Sequence, residues 1–140
     1  MLSPKELNYM ALSRLEDAQI LVRSKRFDGA YYLAGYVVEY SLKAIIAKLI
    51  PEKVTGFPSI KEEFSILSNL KEHNFEKLLE FIMPIQTDRN NFKNKFGQEW
   101  ITVLEWSPEF RYSKVNSISK EKTEIMIETC KTLYNEINSW

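Results

Sequence analysis

Apolar residues recur along most of the chain with the three-to-four-residue spacing of an amphipathic helix. The first such stretch follows Ser3-Pro4-Lys5-Glu6, a capping box with proline at the first helical position, and it predicts a helix to about Ser24. A second helix is predicted from Gly29 to Leu49, with Asp28 as its N-cap. Because apolar residues cover more than one face of this second segment, we expect it to be central in the fold.

The rest of the chain alternates helical patterns with loop signals. The predicted elements are a loop over residues 51–58, a short helix from a capping box at 59–62 to about 70, a helix over 75–82 ended near Pro84, an irregular polar segment over 85–97, a short helix over 100–106, a loop over 107–118 and a last helix capped by Ser119. The last helix is expected to bury Ile125, Met126, Cys130, Leu133 and Ile137. No alternating strand pattern or repeat is present, so we expect an all-α, antiparallel up-and-down bundle of four or five helices in one domain, 1–140.

The composition excludes several classes of protein. Hydrophobic residues make up 44% and charged residues 27% of the chain, as in ordinary globular domains. Nineteen basic and nineteen acidic residues cancel, so any contact with nucleic acid would need a local patch. The single cysteine, Cys130, excludes an internal disulfide and is expected in the core. We expect no metal and no cofactor, and the absence of a signal-like or membrane-spanning apolar run predicts a cytoplasmic location.

Several short segments, in a fixed order, resemble the HEPN family (higher eukaryotes and prokaryotes nucleotide-binding domain). They are residues 14–18 (Arg-Leu-Glu-Asp-Ala), 27–35 (Phe-Asp-Gly-Ala-Tyr-Tyr-Leu-Ala-Gly), Val38-Glu39, Leu42-Lys43-Ala44, His73-Asn74-Phe75 and Phe110-Arg111-Tyr112-Ser113. The resemblance implies a HEPN-type helical bundle that forms a homodimer. It also implies a role beside a small nucleotidyltransferase, in a toxin–antitoxin or defence-type pair, or as a metal-independent ribonuclease toxin.

The ribonuclease branch of that family carries an arginine followed, after four to six residues, by a histidine. This chain departs from that pattern: its only histidine, His73, precedes Arg111, and Asn116 stands where a histidine would follow. Asparagine does not transfer protons near neutral pH, so the resemblance favours a protein without catalytic residues. The alternative is a ribonuclease toxin with a degenerate site.

Three residues are candidates for a buried polar network: Glu39, Lys43 and His73. Glu39 and Lys43 lie four residues apart in a strongly apolar helix, where a buried carboxylate needs a partner. Arg111 is a second candidate partner for Glu39, while a solvated ion pair and a functional site stay open as alternatives. His73 is interpreted either as an acid–base group or as a capping residue at a loop corner.

Five further residues are candidates for binding a phosphate-bearing ligand. Arg111 and Tyr112 follow a proline-containing loop, and a guanidinium suits phosphate or carboxylate. The alternative is that Arg111 ties the loop to the second helix while Tyr112 packs. Arg89, Lys93 and Lys95 lie among asparagines and two phenylalanines, a mixture that can clamp phosphates and stack bases, or that forms a solvated loop with its rings turned inward.

The sequence thus supports three hypotheses about function. The first is a non-catalytic module that binds a nucleotide or RNA, or a nucleotidyltransferase partner, with no membrane contact. The second is the degenerate ribonuclease, and the third is a purely structural helical interaction module.

Overall fold

The computed structural model describes residues 3–49 and 72–140, and every regular element in these ranges is helical. The elements are α1 (Pro4–Arg23), α2 (Phe27–Leu49), α3 (Phe75–Ile82), α4 (Gln86–Lys95), α5 (Gly97–Leu104), a 3₁₀ helix (Pro108–Tyr112) and α6 (Lys120–Ile137). The all-α prediction is therefore confirmed. The predicted loop over residues 51–58 and the short helix after it lie outside the described residues.

Helix α2 is the centre of the bundle. Helix α1 begins at the predicted capping box, in which the Ser3 hydroxyl accepts a hydrogen bond from the Glu6 N–H at 3.1 Å, and it packs along α2 as an αα-hairpin. Helices α6 and α3 cover other faces of α2, so most of its residues are buried. Three small ones, Ala30, Ala34 and Ala44, are fully buried and allow the neighbouring helices to approach closely.

Helix α6 begins after Ser119, as predicted, and the Ser119 hydroxyl accepts from the N–H of Lys122 at 3.1 Å. Four of the five residues expected to be buried in this helix are buried. Ile125 is the exception, since 58% of it is exposed. Successive helical residues are rotated by 100°, and the core-facing side is taken by Met126 and Ile127 instead.

The prediction of an irregular segment over residues 85–97 is wrong, because this segment contains α4 and the first residue of α5. Phe92 is only 7% exposed and meets Trp100 and Trp140 edge-on, with ring centroids 5.3 and 5.4 Å apart. The tertiary packing of this ring outweighs the poor helix propensity of the asparagines around it. The predicted short helix over 100–106 is shifted to Gly97–Leu104, which leaves Trp106 beyond its end.

Asp28 is not the N-cap of α2, because the helix already begins at Phe27. Its carboxylate instead accepts hydrogen bonds from the backbone N–H groups of Asn116 and Ile118. Asp28 therefore fixes the segment before α6 to the start of α2. That segment, predicted to be a loop, also contains the 3₁₀ helix Pro108–Tyr112.

We expect Asp28→Ala to lower the free energy of unfolding by about 1–2 kcal/mol. Two charge-assisted hydrogen bonds are lost, and part of their strength is screened by solvent. Urea unfolding followed by circular dichroism measures this. Asp88→Ala, in the first turn of α4, is the control and should change the unfolding midpoint little. Equal effects of the two substitutions would show that the Asp28 contacts do not hold the segment.

Candidate functional site

An open groove of about 500 Å³ runs between the start of α3 and the segment that leads from α5 through the 3₁₀ helix. Residues 72–76 form one wall, and Leu104, residues 106–109 and Arg111 form the other. We call it the His73 groove. It brings together two residues that the sequence singled out separately, His73 and Arg111.

Glu39 is the buried anchor of this groove. The residue is 1% exposed, its Oε1 lies 2.7 Å from Nδ1 of His73, and its Oε2 accepts a hydrogen bond from Nζ of Lys43 at 3.2 Å. Arg111 was predicted as a possible partner of Glu39, and that prediction is wrong, since both carboxylate oxygens are taken by Lys43 and His73. Because each oxygen of the buried charge has a hydrogen-bonding partner, the carboxylate is held in place without an unpartnered oxygen atom in the core.

The same contact orients the imidazole of His73. Nδ1 faces the buried carboxylate, so Nε2 lies on the opposite edge of a ring whose side chain is 53% exposed. A histidine whose one nitrogen is held by a carboxylate presents the other in a fixed direction, which is the arrangement used both for binding anions and for proton transfer.

A tight turn before α3 fixes the backbone of His73. The carboxylate of Glu72 accepts from the N–H groups of His73 and Asn74, both at 3.0 Å. Asn74 then caps α3 by accepting from the Lys77 N–H at 3.1 Å. The capping role considered for His73 thus belongs to its neighbour Asn74, and His73 is left to face the groove.

Arg111 reaches the groove from the 3₁₀ helix. That helix begins at Pro108, and the Ser107 hydroxyl accepts from the N–H of Glu109 at 3.2 Å. Arg111 is exposed, and its guanidinium carbon lies 4.8 Å from the centroid of the Tyr112 ring, which is itself 73% exposed. Within residues 3–49 and 72–140, no carboxylate lies within ion-pair distance of Arg111, and hydrogen bonding to the hydroxyl groups of Tyr112 and Tyr32 raises the pKa of its guanidinium.

Three carboxylates line the groove, and two of them are compensated locally. Glu76 accepts from Lys93 Nζ at 2.8 Å and from Trp100 Nε1 at 2.6 Å. Partial burial raises the pKa of Glu76, but these hydrogen bonds outweigh it, and the pKa lies below its usual value. Glu72 holds the two backbone N–H groups named above and lies 3.5 Å from Lys77. Of these three carboxylates, Glu109 alone has no cation within ion-pair distance in the described ranges, so it adds a negative charge to the groove.

Trp106 lies in the groove wall and attaches that wall to α2. Its ring stacks on Phe75 with centroids 5.6 Å apart and planes 7° apart, and its Nε1 donates to the carbonyl of Tyr32 at 3.0 Å. It also lies against Gly35, where a side-chain carbon would fall 2.0 Å from Trp106 Cδ2. Tyr36 meets Trp106 edge-on, with ring centroids 4.9 Å apart, and desolvation together with the hydrogen bond between the Tyr36 and Tyr32 hydroxyls raises the Tyr36 pKa.

None of the other three phosphate candidates is among the described residues that line the His73 groove. Arg89 donates to the carbonyl of Met83 at 2.7 Å and to the Gln86 side chain at 2.8 Å. Lys93 is held by Glu76, while Lys95 is exposed, with its Nζ 5.3 Å from the ring centroid of Phe96. Arg89 and Lys93 are therefore occupied within the chain.

Sequence reasoning missed Trp106, Glu72 and Glu76. Glu76 and Lys93 lie 17 residues apart, and no local spacing connects them. Trp106 carried a weak signal, because a large ring directly before Ser107-Pro108 is placed where a helix must end and the chain must turn.

None of the helices in the described ranges combines the length and apolar character needed to cross a bilayer. Nor do the residues of those ranges include a group of three or more His, Cys, Asp or Glu side chains placed to hold a metal ion. A family model described as the HEPN domain matches residues 5–140. Neither a curated protein nor a solved structure matches the chain.

Proposed function

The chain belongs to the HEPN domain family, and from this premise we propose that it binds a nucleotide or single-stranded RNA in the His73 groove without cleaving it. One observation carries the proposal: a solvent-facing guanidinium, Arg111, and an oriented imidazole, His73, line the same groove.

The chemistry of these two groups suits a phosphate. A guanidinium binds phosphate oxygens bidentately through its planar fork. A protonated His73 donates from Nδ1 to Glu39 and keeps Nε2 free to donate to a second phosphate oxygen. Leu104, which is 41% exposed, and the half-buried Pro108 supply apolar surface in the groove wall for a base or a ribose.

The charge of the groove limits the affinity. Among the described residues, Glu72 and Glu76 are compensated by other groups and Glu39 is shared by His73 and Lys43, so Glu109 is the remaining carboxylate of the groove wall. One or two phosphates can therefore be contacted. For a single strand, the logarithm of affinity then falls with the logarithm of salt concentration with a slope of roughly −0.7 per phosphate. We therefore expect weak binding with a shallow dependence on salt.

A fluorescence-anisotropy titration with a labelled single-stranded RNA oligomer at low salt tests the proposal. We expect Arg111→Gln to weaken binding about tenfold, because one charge-assisted bidentate contact is lost. Lys114→Gln, which removes an exposed charge of the same sign three residues further on, should leave the affinity unchanged. Equal affinities of wild type and Arg111→Gln would remove Arg111 from the site and favour a structural interaction module.

The Glu39–His73 contact favours one second candidate, a ribonuclease with an unusual site. A histidine oriented by a buried carboxylate is suited to general acid–base catalysis, and the RNA 2′-hydroxyl would supply the nucleophile. The same incubations, analysed by denaturing gel, separate the two functions. Cleavage that is lost in both Arg111→Gln and His73→Gln would identify an enzyme, and intact RNA would support binding alone.

For assembly, we propose a homodimer whose contact surface includes the apolar rim of the groove. Ile101 and Leu104, one helical turn apart on α5, are 61% and 41% exposed, and Tyr112 is 73% exposed. A second copy that covers this rim would bring a second Arg111 close to the groove. A nucleotidyltransferase encoded as the other half of a toxin–antitoxin pair would be the alternative partner for the same surface.

We expect light scattering at tens of micromolar to give twice the 16.5 kDa mass of the chain. Ile101→Glu should shift the species toward monomer, because it places a charge in an apolar contact. Ile20→Glu, on the exposed side of α1, is the matched control. A species of 16.5 kDa in the wild type would contradict the dimer.

A further inference from the structure

A second cavity, of about 530 Å³, lies at the end of the bundle where α1 turns into α2 and where α6 begins. It is lined by Val22, Arg23, Lys25, Phe27, Lys120 and Glu124. We call it the turn cavity. It shares no lining residue with the His73 groove.

The turn cavity concentrates positive charge in a chain whose formal net charge is zero. Lys120 is opposed by Glu124, but loosely: the Nζ–Oε1 distance is 3.9 Å and both side chains are at least half exposed. Arg23 and Lys25 have no carboxylate within ion-pair distance in the part of the chain that the structure describes. Three cations thus face one carboxylate, which leaves an excess of two positive charges.

Lys25 occupies this place at a conformational cost. Its φ is +60°, the left-handed conformation that favours glycine, and it closes α1 as the residue after the C-cap Ser24. The turn is a Schellman-type end, in which the Lys25 N–H donates to the Val22 carbonyl at 2.9 Å and the Arg26 N–H to the Leu21 carbonyl at 2.8 Å. Glycine would satisfy both bonds with less strain. What lysine adds is a positive charge, which is favourable at the C-terminal end of a helix and lies in the lining of the turn cavity. A strained residue that contributes a charge to a cavity points to binding.

We propose that the turn cavity binds a small phosphorylated molecule. Its phosphate is held by the guanidinium of Arg23 and the ammonium of Lys25, with Lys120 on the far side. The half-buried side chains of Val22 and Phe27 give the rest of the ligand an apolar surface, which suits a ring more than a second charge. The cations are exposed, so the affinity is modest and depends on salt.

Substitution of Lys25 by glycine separates binding from folding, because it should move the two in opposite directions. The strain is relieved, so Lys25→Gly should raise the melting temperature. One exposed cation is lost from the cavity, so the affinity for a phosphate should fall about fivefold. If Lys25 had only a structural role, Lys25→Gly would change the melting temperature and leave the affinity for a phosphate unchanged.

The experiment is a titration with AMP, followed by the backbone amide NMR signals of residues 22–27 and 120–124. Adenosine, which lacks the phosphate, is the ligand control, and Lys131→Gln on the exposed side of α6 is the control variant. We expect AMP to shift these signals in the wild type and in Arg111→Gln, since Arg111 belongs to the other groove. Lys25→Gly and Arg23→Gln should each need about fivefold more AMP.

Absence of shifts at 10 mM AMP, equal shifts with adenosine, or unchanged affinity in both Lys25→Gly and Arg23→Gln would overturn the proposal. Because the signals report the turn cavity alone, such a result would leave the function proposed for the His73 groove untouched. Likewise, equal RNA affinities of the wild type and Arg111→Gln would count against the function proposed for the His73 groove and would leave the proposal for the turn cavity untouched.

Discussion

Gly35→Ala should destabilise the protein by about 3 kcal/mol or more, near or beyond the upper end for overpacked cores. A methyl group at this position falls 2.0–2.4 Å from Cδ2, Cε2 and Cγ of Trp106, closer than atoms can approach. The indole cannot move aside easily, because Phe75 stacks on it and its Nε1 is bound to the Tyr32 carbonyl. The helical preference of alanine, about 1 kcal/mol over glycine, offsets only part of the clash.

Gly29 supplies the matched control on the same helix. Among the described residues, a side-chain carbon there would meet Leu21 Cδ1 alone, at an ordinary contact distance of 3.5 Å. Gly29→Ala should therefore stabilise the protein by about 0.5–1 kcal/mol through helix propensity. Urea unfolding of both variants measures the two changes in the free energy of unfolding. Unfolding of Gly35→Ala at the same urea concentration as Gly29→Ala would show that Trp106 does not lie against α2.

Glu39→Ala should cost about 3–5 kcal/mol, the usual result of removing one partner from a buried ion pair. The substitution strands the ammonium of Lys43, which is 6% exposed, and it also frees the His73 ring. Glu39→Gln should be milder, because the amide oxygen still accepts from one of the two partners. Thermal unfolding measures both effects.

Glu16→Ala, on the exposed face of α1, is the control and should change the melting temperature little. A double variant, Glu39→Met with Lys43→Met, removes both buried charges and should recover much of the stability lost in Glu39→Ala. A melting temperature unchanged by Glu39→Ala would mean that the carboxylate is solvated, and the anchor of the His73 groove would be lost with it.

The parts of the fold predicted correctly are those that local chemistry determines. The capping box at Ser3 and the N-cap at Ser119 set the starts of α1 and α6, and the apolar stripe over residues 75–82 sets α3. These signals depend on residues within one or two helical turns of each other, so they can be recognised in the sequence alone.

The wrong predictions for the segment of α4 and for Asp28 involve partners distant in sequence. Helix α4 depends on Phe92 meeting Trp140, and Asp28 bonds to an N–H group 90 residues away. Glu39, Lys43 and His73 were named as candidates for one buried network, but Glu39 and His73 are 34 residues apart and no local spacing indicated their direct contact. The sequence singled out His73 and Arg111 separately, and only the packing of α3 and the 3₁₀ helix brings them to one groove.

Because the chain has a single histidine, one imidazole NMR signal reports on the His73 groove without ambiguity. The most direct test is a titration of the wild type and Arg111→Gln with a short single-stranded RNA, following that signal. We expect the His73 imidazole resonances to shift progressively with RNA in the wild type, and to need about tenfold more RNA in Arg111→Gln. A His73 signal that does not move in the wild type while the RNA is bound elsewhere, or while no RNA binds, would contradict the function proposed for the groove.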